Sequence, residues 1–209
     1  LFFLGRGRSF RSRRLDALTR EGQREFLIIG KTRAEQGGVT LGVRAGRGGS
    51  EFRVAGRPAA GAAELAEHFP PQVIDPEIHK LLEEGPGRRR RFMDWGVFHV
   101  EPAFLETWQR YHRALRQRNA ALKLGQPDSG VRVWDAELAA AGEMLAEQRR
   151  AYLAALAEPL RRIGQALLGV EVSLVYHRGW PSDAGLAACL ERDLDRDRRY
   201  RATQHGPHR

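Results

Sequence analysis

RRRRFMDWGVFHVEP, from Arg88 to Pro102, sets four consecutive arginines directly ahead of an aromatic segment carrying Phe92, Trp95, Phe98 and His99. Pro102 reads as the first position of a new helix, where its missing N–H costs nothing. Beyond it Phe104, Trp108, Tyr111, Leu115 and Leu122 follow at spacings of four, three, four and seven, an apolar seam at helical period. A long helix is therefore expected over 102–124, preceded by a helix over 88–100. Gly85-Pro86-Gly87 breaks an earlier helix that starts at Asp75, a cap followed by proline, and runs to about Glu84.

Reading outward to the C-terminus, Gly125 to Gly130 contains Pro127 and makes a turn. A second long helix is expected from about Asp135 to Leu168. Its later part repeats Leu153, Leu156, Leu160, Ile163 and Leu167 by threes and fours, as a coiled-coil seam does, with Pro159 bending it. Two long helices joined by a short turn are expected to pack antiparallel. Val170 to Tyr176 alternates like a strand. Asp183 to Arg199 reads as a helix with Leu186, Leu190 and Leu194 on one face, and ATQHGPHR from Ala202 reads as extended.

Reading outward to the N-terminus, Leu1 to Leu4 is a helix tail ending at Gly5. Between Arg24 and Val54 the short apolar runs FLIIG, VTLGVRA and EFRVAG, separated by glycine-rich turns, predict three antiparallel strands. Ala59 to His68 is a short helix ended by Pro70-Pro71, and QVI after it reads as a brief buried strand. The class is α+β. Residues 1–74 form a lobe of antiparallel strands and 75–169 a helical arm built on a long antiparallel hairpin. Residues 170–209 contribute a returning strand and helix.

The formal charge of +9 and pI near 10.6 favour an anionic partner, nucleic acid ahead of membrane. Of 35 basic residues only Lys31, Lys80 and Lys123 are lysines, so genomic base composition accounts for part of the excess. Distribution carries more information. Between Glu106 and Asp128 there is no acid, but Arg110, Arg113, Arg116, Arg118 and Lys123 all lie there. The first fifteen residues hold Arg6, Arg8, Arg11, Arg13 and Arg14, again without an acid. The single cysteine, Cys189, excludes an intramolecular disulfide, suits a reducing cytosol and reads as a buried thiol. No apolar stretch approaches the ~20 residues of a membrane-spanning helix.

Three further stretches accompany the opening one: GRGRSFRS at 5–12, YHRGW at 176–180 and LERDLDRDRRYRATQHGPHR at 190–209. Together, in this order, they resemble the RecF family of bacterial ABC- and SMC-like ATPases. GRGRSFRS is similar to the segment after that family's P-loop helix, YHRGW to its mid-chain strand, and the last stretch to the approach to its signature motif. The resemblance implies part of an ATPase head with a helical arm. Yet no G-x-x-x-x-G-K-[ST] phosphate loop occurs, nor an LSxGQ-type signature, nor an apolar strand ending in paired acids. The chain is thus expected to be an internal piece of a longer protein, and inactive toward ATP by itself.

The resemblance also implies roles for particular residues. Arg88, Arg89, Arg90 and Arg91 are candidates for DNA or nucleotide phosphate. Cations at a helix start are unfavourable by up to ~1 kcal/mol each, so something must compensate them; salt bridges to Glu83 and Glu84 or plain solvation are the alternatives. SMC-type heads carry an arginine beyond the P-loop helix that reaches toward nucleotide and DNA, which points to Arg11, with Arg8 as alternate. Gln72 and Asp75 fall where ABC-type heads link the nucleotide's metal to the arm, though Asp75 equally suits a helix cap. His205 and His208 are three apart, but Gly206 and Pro207 deny them helical alignment, so no metal site is expected. His99 and His112, among aromatics, read as packed histidines. Glu191, Asp193, Asp195 and Asp197 alternate with arginines like a salt-bridged helix face.

For the whole protein the resemblance implies a slow, DNA-stimulated ATPase using ATP and Mg2+, which closes as a homodimer. It further implies binding to gapped and single-stranded DNA, work with RecO and RecR mediators to load RecA, replication restart and SOS induction. The alternative is a non-enzymatic basic helical module that binds nucleic acid or a protein through the hairpin.

Overall fold

The computed structural model describes every residue except 11, 13, 34–36, 74 and 75. It resolves into two compact units, Leu1–His79 and Lys80–Arg209.

In the first unit, helix α1 (Phe2–Arg6) precedes an antiparallel sheet of β1 (Glu25–Lys31), β2 (Thr40–Gly46), β3 (Gly49–Val54) and β4 (Arg57–Pro58), in that spatial order, followed by α2 (Ala62–His68). Strand register follows the apolar alternation. Ile28 pairs with Val43 and Phe26 with Ala45; across the next ladder Val43 pairs with Phe52 and Leu41 with Val54. All of these point to one face, where Phe3 and Leu4 of α1 and Leu65 of α2 cover them. The three expected strands are present, and the fourth adds a two-residue return. Gly46 pairs with Gly49, leaving Arg47 and Gly48 as a two-residue hairpin loop.

The β3–β4 turn is less comfortable. Ala55 (φ 50°) and Gly56 (φ 80°) both lie in the left-handed region, as a two-residue hairpin turn of this hand demands. Glycine adopts it freely, whereas alanine's Cβ makes it costly by roughly 1 kcal/mol. Asparagine tolerates the conformation better, so Ala55→Asn is expected to raise stability by up to about 1 kcal/mol, read as a higher thermal midpoint. An unchanged or lower midpoint would show that the turn relaxes at no cost.

After α2 the Gln72–Val73 backbone is neither strand nor paired, so QVI is not the expected buried strand as far as it is described. Ile74 and Asp75, and with them the proposed cap, lie outside the described residues. A 3-10 turn, Pro76–His79, takes the place of the first part of the expected helix.

The second unit begins with α3 (Lys80–Glu83), then α4 (Pro86–Val100), α5 (Phe104–Lys123), α6 (Asp128–Arg132), α7 (Asp135–Leu168), α8 (Leu186–Arg192) and α9 (Leu194–Tyr200). Pro86 occupies the first turn of α4, so it opens this helix as well as ending the one before. Pro102, by contrast, lies two residues short of α5. Helices α5 and α7 pack antiparallel: Arg118 meets Asp135 at one end, and Gly142 lies against Tyr111 farther along. Around this pair Met93, Val97, Phe104, Tyr111, Leu115, Leu138, Leu145, Leu186, Cys189 and Leu190 form the core, and the cysteine is fully buried.

Four expectations need correction here. The seam in the later part of α7 is covered only in part: Leu153 packs on the core and Leu156 and Leu160 are half-buried, but Ile163 is 51% and Leu167 78% exposed. Val170–Tyr176 joins no sheet, although Val172 lies against Gly164 of α7 and Tyr176 packs on the core. The single helix expected over 183–199 is two, broken at Asp193 (φ −102°, ψ 21°). Finally, the terminal ATQHGPHR is folded into the unit, with Thr203, Gly206 and Pro207 buried. No helix among the described residues is long and apolar enough to cross a membrane.

Candidate functional site

The four arginines of the opening stretch enter the first turns of α4, which carries no acid there to meet the helix dipole. Arg88 pairs with Glu84 at 2.9 Å, one turn back and partly exposed, a contact worth a few tenths of a kcal/mol. Arg89 donates to the carbonyls of Leu81, Leu82 and Glu84 at 3.3, 3.3 and 2.8 Å, capping the end of α3. Arg90 donates to the main-chain oxygen of Arg209 at 2.6 Å; burial, and then Arg149, lower its pKa. Arg91 is exposed and makes no hydrogen bond or ion pair among the described residues. Three members of the run thus have structural partners within the unit, and Arg89 and Arg91 are the two that are exposed.

In the first unit Arg8 is exposed just past Gly7, the left-handed residue that caps α1. Arg6 is half-buried over the Phe2 ring, 5.6 Å from its centroid; desolvation, and then Arg8, bring its pKa down to about 10. Gln72 is exposed. Arg11 and Asp75 lie outside the described residues.

Two further arginines, Arg118 noted in the sequence only as part of a basic stretch and Arg149 not at all, organise the second unit. Arg118 is fully buried. Its Nε donates to Asp135 Oδ1 at 2.7 Å, and its Nη1 donates to Asp197 Oδ2 at 2.5 Å and to Thr203 Oγ1 at 2.9 Å. Asn119 Oδ1 accepts from both the N–H and the hydroxyl of Thr203 at 2.8 Å, and Asp197 Oδ1 accepts from the Gln204 N–H. Arg149, 3% exposed, grips Asp94 through Nε and Nη2 at 2.7 and 2.9 Å, and donates to the Pro207 carbonyl at 2.7 Å. The fork-shaped grip of Arg149 on Asp94 and the two carboxylates held by Arg118 offset the cost of desolvating these guanidinium groups, while Arg118 Nη2 is buried without a hydrogen-bond partner among the described residues. Of the salt-bridged helix face expected over 191–197, Asp197 is salt-bridged but buried, with Arg118 of α5 as its partner.

Between these anchors His208 Nε2 faces the Thr203 carbonyl at 3.1 Å, so that nitrogen carries the proton. Nδ1 is then left to accept from the Tyr111 hydroxyl at 2.6 Å. Burial pushes the His208 pKa down to about 4 and raises that of Tyr111. The fit tolerates no side chain at Gly206, where φ is 132° and a Cβ would collide with the Tyr111 hydroxyl. His205 turns the other way, to Asp193 at 2.6 Å; Arg192, and then His205, hold that carboxyl at about 2. The two histidines thus serve different partners. His112 packs on Trp108 and Tyr111, and His99 on Trp95 and Phe98.

The signal for the buried arginines was present in the sequence. Arg118 falls on the stripe of Tyr111, Ala114, Leu115, Ala121 and Leu122, and Arg149 on that of Leu138, Gly142 and Leu145. A charge at a position that helical period assigns to the core is either an error of register or a buried pair.

No family model matches the chain. Among curated proteins it is similar to the DNA replication and repair protein RecF of Pseudomonas fluorescens SBW25, with 43% identity over 213 aligned residues. That match takes in all of this chain and 58% of the relative. RecF of Pseudomonas fluorescens Pf-5 is 43% identical and that of Pseudomonas syringae pv. tomato 42%, with the same coverage. Two solved structures, of the recombination mediator protein RecF-ATPrS and of RecF-ATP in the RecFOR pathway, superpose with a TM-score of 0.87. They are 24% and 23% identical and cover 99% of this chain and 60% of theirs. The chain therefore resembles RecF along its whole length, shares the fold of this portion of it, and spans somewhat under two thirds of the relatives it matches.

Proposed function

We propose that this chain is the strand lobe and helical arm of a RecF-type, ATP-driven DNA repair protein, acting in gap binding and recombinase loading with RecO and RecR partners. The observation that carries this reading is identity of 43% to RecF in an alignment that takes in the entire chain. ATP with Mg2+ belongs to the whole protein, whose phosphate loop and signature motif would come from outside these 209 residues. The chain's own contribution is mechanical. The arm is a rigid body because α5, α7 and the terminal segment are tied by buried ion pairs, and rigid bodies convert nucleotide-driven closure into displacement. Of the arginine run, Arg91 has its guanidinium left for phosphate, with Arg8 and Arg11 the corresponding candidates on the first unit. Gln72 and Asp75 are proposed on resemblance alone.

In the full-length protein, Mg2+-dependent ATP turnover that rises on adding gapped duplex is expected, and the isolated 209 residues should show none. A full-length protein that binds gapped DNA equally with and without ATP, and never turns it over, would favour the non-enzymatic basic module.

A further inference from the structure

Helix α5 presents a face of one sign to solvent. Its exposed positions from Gln109 onward are Gln109, Arg110, Arg113, Arg116, Gln117, Ala120 and Lys123, with no acid among them. Arg110 is neutralised by Glu137 through two contacts at 2.8 and 3.1 Å. Arg113, Arg116 and Lys123 have no hydrogen bond or ion pair among the described residues. On the neighbouring helix α7 the exposed arginines are mostly paired: Arg150 with Glu147 and Arg161 with Glu158, each within one turn, with Arg162 alone lacking a hydrogen bond or ion pair among the described residues. The buried stripe of α5 needs none of these three charges, because its packing uses Tyr111, Ala114, Leu115, Arg118, Ala121 and Leu122.

We infer that Arg113, Arg116 and Lys123 form a contact surface for the phosphate backbone of duplex DNA, an inference that rests on the DNA-binding reading above. The three span about 15 Å along the helix axis at 1.5 Å per residue. Phosphates of one strand advance ~3.4 Å per nucleotide, so the stripe matches a short run of a single backbone. Glutamines at 109 and 117 add hydrogen-bond donors without opposing charge. Single-strand binding without sequence preference relies on aromatic platforms on which bases stack. This face exposes none, since Trp108 and His112 turn half-inward against each other with ring centroids 4.0 Å apart. Cations without aromatics suit a backbone whose bases are already paired.

The test uses full-length protein carrying Arg113→Gln, Arg116→Gln and Lys123→Gln together, with Arg150→Gln on α7 as the charge-loss control. Affinity for a blunt duplex and for an oligonucleotide single strand is measured across a salt series. With ~0.9 in slope per neutralised phosphate, the triple variant should lose about 2 to 3 from the log–log salt slope on duplex, and the control almost nothing. Arg113→Lys with Arg116→Lys should keep most of the slope. An unchanged slope in a triple variant whose thermal midpoint matches wild type overturns the surface while leaving the DNA-binding reading intact. A larger loss on single strand than on duplex overturns the choice of duplex. A wild-type protein that binds no DNA removes the reading beneath both.

Discussion

Arg118→Met is expected to cost about 3–5 kcal/mol, the largest loss from any single charge removal in the helical unit. Its guanidinium is fully buried and holds Asp135, Asp197 and Thr203 at once. Removing one partner of a buried pair leaves the other's charge without compensation, and that penalty exceeds the net worth of the intact pair. Asp197 suffers most, being 1% exposed where Asp135 is 17%. Asp197 Oδ1 also holds the Gln204 N–H, so the damage spreads to the terminal segment. Combining Arg118→Met with Asp197→Leu should recover a large part of the loss, because the stranded charge goes with its partner. Urea unfolding of the full-length protein and both variants, followed by tryptophan fluorescence, separates these outcomes. A loss below about 1 kcal/mol for Arg118→Met would mean that water reaches the pair and that the segment 203–209 is held by something else.

Those contacts also mark where the sequence stops being legible. Strands β1 to β3 were readable because alternation and glycine turns are local properties, and β2 carries both in seven residues. Strand β4 was not, since Arg57–Pro58 is too short to alternate and its proline cannot donate to a ladder. The bounds of α7 were legible from its composition, and its capping residue Gly169 sits in the left-handed conformation that ends helices. Periodicity reports that a face is apolar but not that a partner covers it, which is why Leu167 is 78% exposed on a predicted seam. Alternation likewise made Val170–Tyr176 look like a strand, although a strand exists only where a neighbour supplies hydrogen bonds. The terminal segment looked extended because Gly206-Pro207 precludes helix. Its real state depends on Arg118 and Arg149, more than fifty residues away in sequence, and on carbonyl acceptors that no side-chain pattern encodes. The arginine run was the reverse case: four adjacent charges suggested one site, but once wound into α4 three of them meet three different partners and Arg91 meets none among the described residues.

Acidification should destabilise the helical unit through His208, by about 3 kcal/mol in full. The ring is neutral in the fold, with Nε2–H donated to Thr203 and Nδ1 accepting from Tyr111, so protonation would take Nδ1 away as the acceptor for the buried Tyr111 hydroxyl proton. Arg209, His112 and Arg90 nearby oppose a positive charge as well, after desolvation. The folded pKa of about 4 lies below the unfolded value of 6.5. Between those values the unfolded chain binds more protons, so stability rises with pH. The contribution is fully present above pH 6.5, falls as pH drops from there toward 4, and is gone below 4. Linkage gives a loss of about 2 kcal/mol by pH 5. Asp193, held at about 2, sheds its own contribution only in stronger acid, whereas His112, whose pKa burial also lowers, adds to the decline within this window. His208→Gln keeps a side-chain donor for the Thr203 carbonyl and an acceptor for Tyr111 but cannot titrate. It should therefore lower stability modestly at pH 7.5 and flatten the decline between pH 6.5 and 4. Urea midpoints at pH 7.5, 6 and 5 for both proteins measure this. A wild-type decline that the substitution leaves unaltered would move the acid-sensitive group away from the Tyr111–His208 contact.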